Sequence, residues 1–232
     1  MRQAVREIIV EGISQNRTPQ AIALDLVGRK SKVTGLRESG LIGLTPAQAQ
    51  TTLKIRNALL TGDREGLSDY LGMKLRDKRY TAVVEAVRRN GWDAALEAYN
   101  KRRPVKVTKA ELIATLMADH KSRALMFRAD LIAENETLTA LRAGQHEGYQ
   151  QLLESGTVSD DQIERWWDAT GDKRTREDHM AMEGQKVTGL SAPFVAPDGS
   201  RLMFPGDTSL GASAKQTIRC RCIERIRIRY IR

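Results

Sequence analysis

The residues of this chain best suited to chemistry are His179 and the pair Cys220 and Cys222, the only two cysteines among 232 residues. A histidine and two thiolates are soft ligands of the kind that hold zinc, with Asp172 or Asp207 available as a fourth. Structural zinc sites favour C-x2–4-C knuckles, however, and His179 lies about forty residues before the C-x-C. The alternative is a pair of buried thiols beside a hydrogen-bonded histidine. The same residues also admit hydrolysis, with His179 as general base near Asp172, Asp178 or Cys222. Three histidines, no recognisable nucleophile motif and carboxylates interleaved with Lys173, Arg174 and Arg176 favour an ion-pair network instead. A non-enzymatic protein is therefore expected, with Arg174 and Arg176 holding a turn through Asp172, Glu177 or Asp178. His120 and His146 are expected to be surface or packing residues.

Both cysteines belong to the last sixteen residues, T-I-R-C-R-C-I-E-R-I-R-I-R-Y-I-R. At period two, Ile218, Cys220, Cys222, Ile226, Ile228 and Tyr230 share one face, with Glu224 as an intruder. Arg219, Arg221, Arg225, Arg227 and Arg229 line the other. Six arginines against one glutamate leave +5 of the chain's +9 here. The alternation predicts a terminal strand, either an amphipathic edge kept soluble by arginine or a cationic stripe that meets phosphates or a partner. Sixteen residues exceed the usual strand length, so a bend is expected near residues 222–224. In an extended segment the two side chains would point the same way about 7 Å apart, too far for a disulfide. Reduced thiols or metal ligands remain.

A sequence pI of 9.8 attracts the protein to anionic partners, nucleic acid first among them. With 5% aromatic and 29% charged residues, narrow amphipathic helices that expect partners fit better than a small globular enzyme. No apolar run has the length of a signal peptide or a membrane span, so a chain made soluble in the cytoplasm is expected.

The elements that must position these residues are mostly helical. Val5, Ile8, Ile9 and Ile13 recur at helical spacing until Gly12 and Ser14-Gln15-Asn16 weaken the pattern. Thr18-Pro19 opens a second helix. Residues 28–44 read as a basic, glycine-punctuated loop or partner-contacting arm. Thr45 with Gln48 and Thr108 with Glu111 form capping boxes that open further helices. Shorter helices are expected over 68–74, 78–89 and 92–100. The second box opens a long helical region to about Leu153, with a break near residues 121–123, and Gly144 and Gly148 would admit a neighbouring backbone. Trp166 and Trp167 suit a strand, and Phe194 and Phe204 pin a loop-rich stretch. The fold class is α+β: a helical region over 1–103, and a domain over 104–232 with long helices and a small carboxy-terminal sheet.

The run W-D-A-T-G-D-K-R-T-R-E-D-H-M-A-M-E-G-Q from Trp167 to Gln185, the later F-P-G-D and the closing I-R-C-R-C together resemble the phage Mu F-like head morphogenesis family of minor capsid proteins. Residues 128–137 resemble the helix that precedes this core, where an arginine-threonine-glutamate triplet is usual. Glu134 and Asn135 depart from that triplet and Glu136 keeps its glutamate; Arg219 stands where asparagine is common. The resemblance spans Lys109 to Cys222. It implies a structural, low-copy component of a tailed phage head, associated with the portal or major capsid protein and with packaged double-stranded DNA, aiding head assembly or DNA delivery. It also implies a place in the virion, at the head interior or portal vertex, in multiple copies. On this reading Arg219, Arg221, Arg225, Arg227 and Arg229 meet DNA or a partner, no membrane is involved, and no cofactor is expected beyond structural zinc. The rival readings are a sequence-independent nucleic-acid-binding protein outside a virion and a zinc-dependent hydrolase or toxin-like enzyme.

Overall fold

A computed structural model describes residues 2–33, 37–101 and 103–230. Residues 34–36 of the basic loop, Arg102 at the expected domain boundary, and Ile231 and Arg232 of the terminal strand lie outside the described residues. The fold is α+β, and the chain packs as two compact units, one of residues 1–12 and 20–130 and the other of residues 13–19 and 131–232.

The first unit is helical. Helix α1 (Arg2–Ser14) continues through Gly12, and α2 (Pro19–Val27) follows. Gly12 serves close approach rather than termination, since a Cβ there would stand 2.5 Å from Ile22 Cγ1. The basic loop contains two short antiparallel strands, β1 (Arg29–Lys30) and β2 (Arg37–Glu38). Arg37 pins it, donating to Gly28 O at 2.7 Å and Ser122 Oγ at 3.0 Å.

Helix α3 (Pro46–Thr61) starts at the predicted capping box and stops at Gly62, which adopts a left-handed φ of 74°. Helix α4 covers Arg64–Gly72, earlier than expected, because the Asp63 carboxylate accepts from the Gly66 amide and sets the start. Helices α5 (Thr81–Asn90) and α6 (Trp92–Asn100) match the pattern. Helix α7 (Lys109–Glu154) opens at the Thr108–Glu111 box and runs unbroken for 46 residues, with no break at 121–123. Its Leu112, Ile113, Leu116 and Met117 join Leu59, Leu67, Tyr70 and Val84 in one core. The expected boundary at 103/104 therefore falls within one unit, and packing divides the chain inside α7 instead.

In the second unit α7 leads to β3 (Ile163–Asp168), α8 (Glu177–Ala181), β4 (Lys186–Thr188), the hairpin β5 (Phe194–Val195) and β6 (Arg201–Leu202), α9 (Ala214–Thr217) and β7 (Ile223–Ile228). An antiparallel sheet forms in the order β4-β3-β7. Trp167 and Phe194 are fully buried and meet edge to face, with centroids 5.5 Å apart. Gly144 and Gly148 admit no neighbouring backbone: a Cβ at either would have nothing within 4 Å.

The terminal strand is shorter than its alternation suggests. Only residues 223–228 are extended, after a helical turn at 214–217 and a left-handed Arg219 (φ 54°). The strand begins at the expected bend. On its inner face Glu224, the apparent intruder, pairs with the fully buried Arg165 at 2.6 Å. Arg165 also donates to the carbonyls of Gly189 (2.8 Å), Met203 (2.7 Å), Leu190 (3.2 Å) and Ala192. One guanidinium thus joins two strands and two loops.

Two stability tests follow from these pairs. Replacing Arg165 by Met should cost about 3–5 kcal/mol, since it strands a buried carboxylate, whereas the double change Arg165→Met with Glu224→Leu should recover much of the loss. Denaturant unfolding of both variants distinguishes this from a simple packing role, in which the double variant would be no better. In the first unit, Asp77 caps a 3₁₀ turn at Lys78–Tyr80 and meets the guanidinium groups of Arg79 (2.6 Å) and Arg123 (3.1 Å). The Arg79 hydrogen bond lowers its carboxyl from 3.8 to about 2. A folded value below the unfolded one gives stability that is present above about pH 4 and lost as pH falls toward 2. Asp77→Asn should therefore cost about 2 kcal/mol at pH 7, with the difference from wild type shrinking at pH 2 in urea titrations.

Candidate functional site

The structure brings His179, Cys220 and Cys222 together. They form the one group of potential metal-ligating side chains found among the described residues, with ligand atoms within 4.8 Å of one another and all three residues buried. Nδ1 of His179 lies 3.4 Å from Cys222 Sγ and 3.7 Å from Cys220 Sγ. The two sulfurs are closer than the 7 Å of an extended C-x-C because the segment turns between α9 and β7 instead of running straight. Both cysteines are free thiols.

Each element that positions this cluster has a local cause. His179 sits in α8, with its ring edge on to Trp167 at 5.4 Å between centroids. On its far side Nε2 meets Gln216 Oε1 at 2.9 Å. The Gln216 amide nitrogen is held at 2.7 Å by both Asp178 Oδ2 and Asp198 Oδ2. Carboxylates accept and do not donate, so the NH2 of Gln216 faces them and its oxygen faces His179. The Gln216 hydrogen bond lowers Asp198 to about 2, and Lys215 and then Gln216 lower Asp178.

The cysteine turn is held from two directions. Arg142 of α7, which sequence reasoning passed over, donates Nη2 to Cys220 O at 2.9 Å and Cys222 O at 2.8 Å, and Nη1 to Pro205 O at 3.1 Å. The F-P-G-D motif makes that last contact possible. Gly206 has φ 88°, and a Cβ on it would press to 3.1 Å on Arg142. Asp207 accepts from the Met203 and Ser209 amides and stands apart from the cluster. On the other side Arg221 grips Asp172 with two bonds of 2.6 and 2.7 Å, pulling that carboxyl far below its ordinary value. Neither aspartate is a fourth ligand, and Asp172 is occupied by Arg221.

Arg174 and Arg176 do not hold the turn through their side chains as expected. The Arg174 amide caps Asp172 at 2.9 Å, and the Arg176 side chain donates to Ile218 O. Arg219 places its amide on Asn135 Oδ1 at 3.2 Å and its side chain 3.3 Å from Glu134. Its left-handed backbone is a conformation that asparagine adopts more readily than arginine. Glu134 and Asn135, the departures from the usual triplet, are thus Arg219's partners.

Of the two thiols, Cys222 is the more acidic: Cys220 hydrogen-bonds to it, His179 lies beside it and the Thr170 amide points at it. The hydrogen bond to Cys222 and then burial push Cys220 up. A cavity of about 10 Å³, lined by Thr170, His179, Arg219, Arg221 and Cys222 among others, adjoins the cluster.

The arginines of the carboxy-terminal stripe all stand against carboxylates. Arg225 meets Asp168 at 2.6 Å, while Arg227 and Arg229 (2.8 Å) converge with Lys186 (3.5 Å) on Glu164. His120 is buried against Tyr70, and His146 packs on Phe204.

Among the described residues no helix is long and apolar enough to cross a membrane. No curated protein and no solved structure matches the chain significantly. The family model described as Phage Mu protein F like protein matches residues 81–224. That match covers more than half of the chain, from α5 through α7 and the cysteine turn to the buried Glu224. The chain therefore belongs to the Phage Mu protein F like family, a family of structural proteins of the bacteriophage head.

Proposed function

We propose that the chain is a minor head protein of a tailed phage, built into the virion at the head interior or portal vertex. There it binds portal or major capsid protein in multiple copies and aids head assembly or DNA delivery. The observation that carries this reading is the family match, which takes in both the central helix and the clamp around the cysteine turn. The geometry of His179 favours a structural role as well. It is 1% exposed, with Nε2 facing Gln216 and Nδ1 facing two sulfurs, an arrangement that offers no ring nitrogen to a substrate.

Within this reading the arginine stripe divides in two. Arg219 and Arg221 hold the cysteine turn, with side chains 35% and 28% exposed. Arg225, Arg227 and Arg229 are more than half exposed and form the contact surface for DNA phosphates or an acidic partner. The guanidinium groups keep an exposed side that a phosphate can reach, although the Glu164 carboxylate that Arg227 and Arg229 share is itself buried.

In particles assembled with the cognate portal and capsid, the chain should be present at a fixed ratio to portal subunits; its absence from purified particles would defeat the assignment. For the stripe, replacing Arg225, Arg227 and Arg229 by Gln should reduce the salt slope of DNA binding by about two to three units. Glu164→Gln, which releases Arg227, Arg229 and Lys186, should tighten binding. Unchanged affinity and slope in both variants would remove DNA from the role of this strand and leave a protein partner.

A further inference from the structure

We propose that His179 Nδ1, Cys220 Sγ and Cys222 Sγ bind one zinc ion, with a water molecule as fourth ligand, and that this ion fastens the cysteine turn to α8. Three observations converge on it.

The first is the shape of the cluster. With ordinary zinc bond lengths of about 2.0–2.1 Å to nitrogen and 2.3 Å to sulfur, a tetrahedral nitrogen-to-sulfur edge is about 3.6 Å. The two such distances here are 3.4 and 3.7 Å.

The second is the direction of the histidine lone pair. Asp178 and Asp198 occupy the Gln216 NH2, so the Gln216 oxygen accepts and His179 Nε2 carries the hydrogen. Nδ1 of the neutral ring is then left with its lone pair toward both sulfurs. A histidine whose remote N–H is fixed by a hydrogen-bond acceptor is the usual companion of a metal-bound ring. Without an ion, the lone pair accepts from one thiol and the other turns to its neighbouring sulfur. With an ion, both sulfurs and the nitrogen are ligands at once. Binding releases the two thiol protons, and two thiolates cancel the charge of the divalent ion, which suits residues only 1–2% exposed.

The third is that the frame stands independently of the cluster. Arg142 holds the carbonyls of both cysteines, and Arg221 holds the Asp172 turn, so the sulfurs are positioned by bonds that an ion need not make. The adjoining cavity of about 10 Å³ has room for a water. The role that this frame supports is structural, the ion tying the cysteine turn to α8.

The test uses the full chain, purified under reducing conditions, with its thiols counted after denaturation to show two per chain. Incubation with zinc and removal of excess should leave about one equivalent bound. Cobalt in place of zinc should give thiolate-to-metal charge transfer and the visible bands of a tetrahedral site. Stripping the metal should lower the melting temperature by about 5–10 °C, and zinc should restore it. Cys222→Ser and His179→Ala should each lose the cobalt charge-transfer signature or reduce it. Because these variants could misfold, the wild-type measurement decides: fewer than about 0.2 zinc equivalents in fully reduced protein, with no cobalt–thiolate absorption, would overturn the proposal. That result would leave the head-protein reading intact, since the latter is judged by incorporation into particles.

Discussion

The carboxy-terminal unit depends on a charge that should be expensive to bury. Arg165 lies on the inner face of a three-stranded sheet, where an apolar side chain would be ordinary, and it is fully enclosed. Its guanidinium is tolerated because Glu224 and four loop carbonyls take its N–H groups. The loops around residues 189–192 and 203 are too irregular to be organised by a ladder, and this fork gathers them. Glu224 in turn fixes β7 against β3, with Trp167 directly opposite it in the register. The short β7 therefore owes its place as much to one diagonal ion pair as to its isoleucines.

Arg142 repeats the device a layer away. It reaches from α7 to the carbonyls of Pro205, Cys220 and Cys222, satisfying backbone groups that a turn cannot satisfy for itself. Two arginines thus do for this small unit what a larger hydrophobic core does elsewhere. The remaining apolar cluster around Trp167, Met182, Phe194 and Leu202 is modest in extent.

Much of the helical scaffold was legible because its signals are local. Thr45 and Thr108 with their partners three residues on open helices where expected, and Gly62 closes α3 and Gly91 closes α5 with positive φ. The strand at Trp166 and Trp167 and the grouping of His179 with the cysteines were legible too, the latter through residue type and order. The extent of the terminal strand was not, because period-two alternation records which side chains are buried and not which backbone is extended. Cys220 and Cys222 are buried by a turn that Arg142 holds from 78 and 80 residues away. Such long-range contacts leave no periodic trace. Gln216 was equally silent, a lone amide in a polar stretch whose role exists only through His179, Asp178 and Asp198.

Gln216 has one further consequence. Had a carboxylate or a second histidine backed the ring of His179, the proton on that ring would answer to acidity through its neighbour. An amide does not ionise over the range in which proteins survive, and its two ends differ permanently. The amide that orients His179 does not itself titrate, so acidity reaches this arrangement from the Gln216 side through the two carboxylates, Asp178 and Asp198, that hold its NH2.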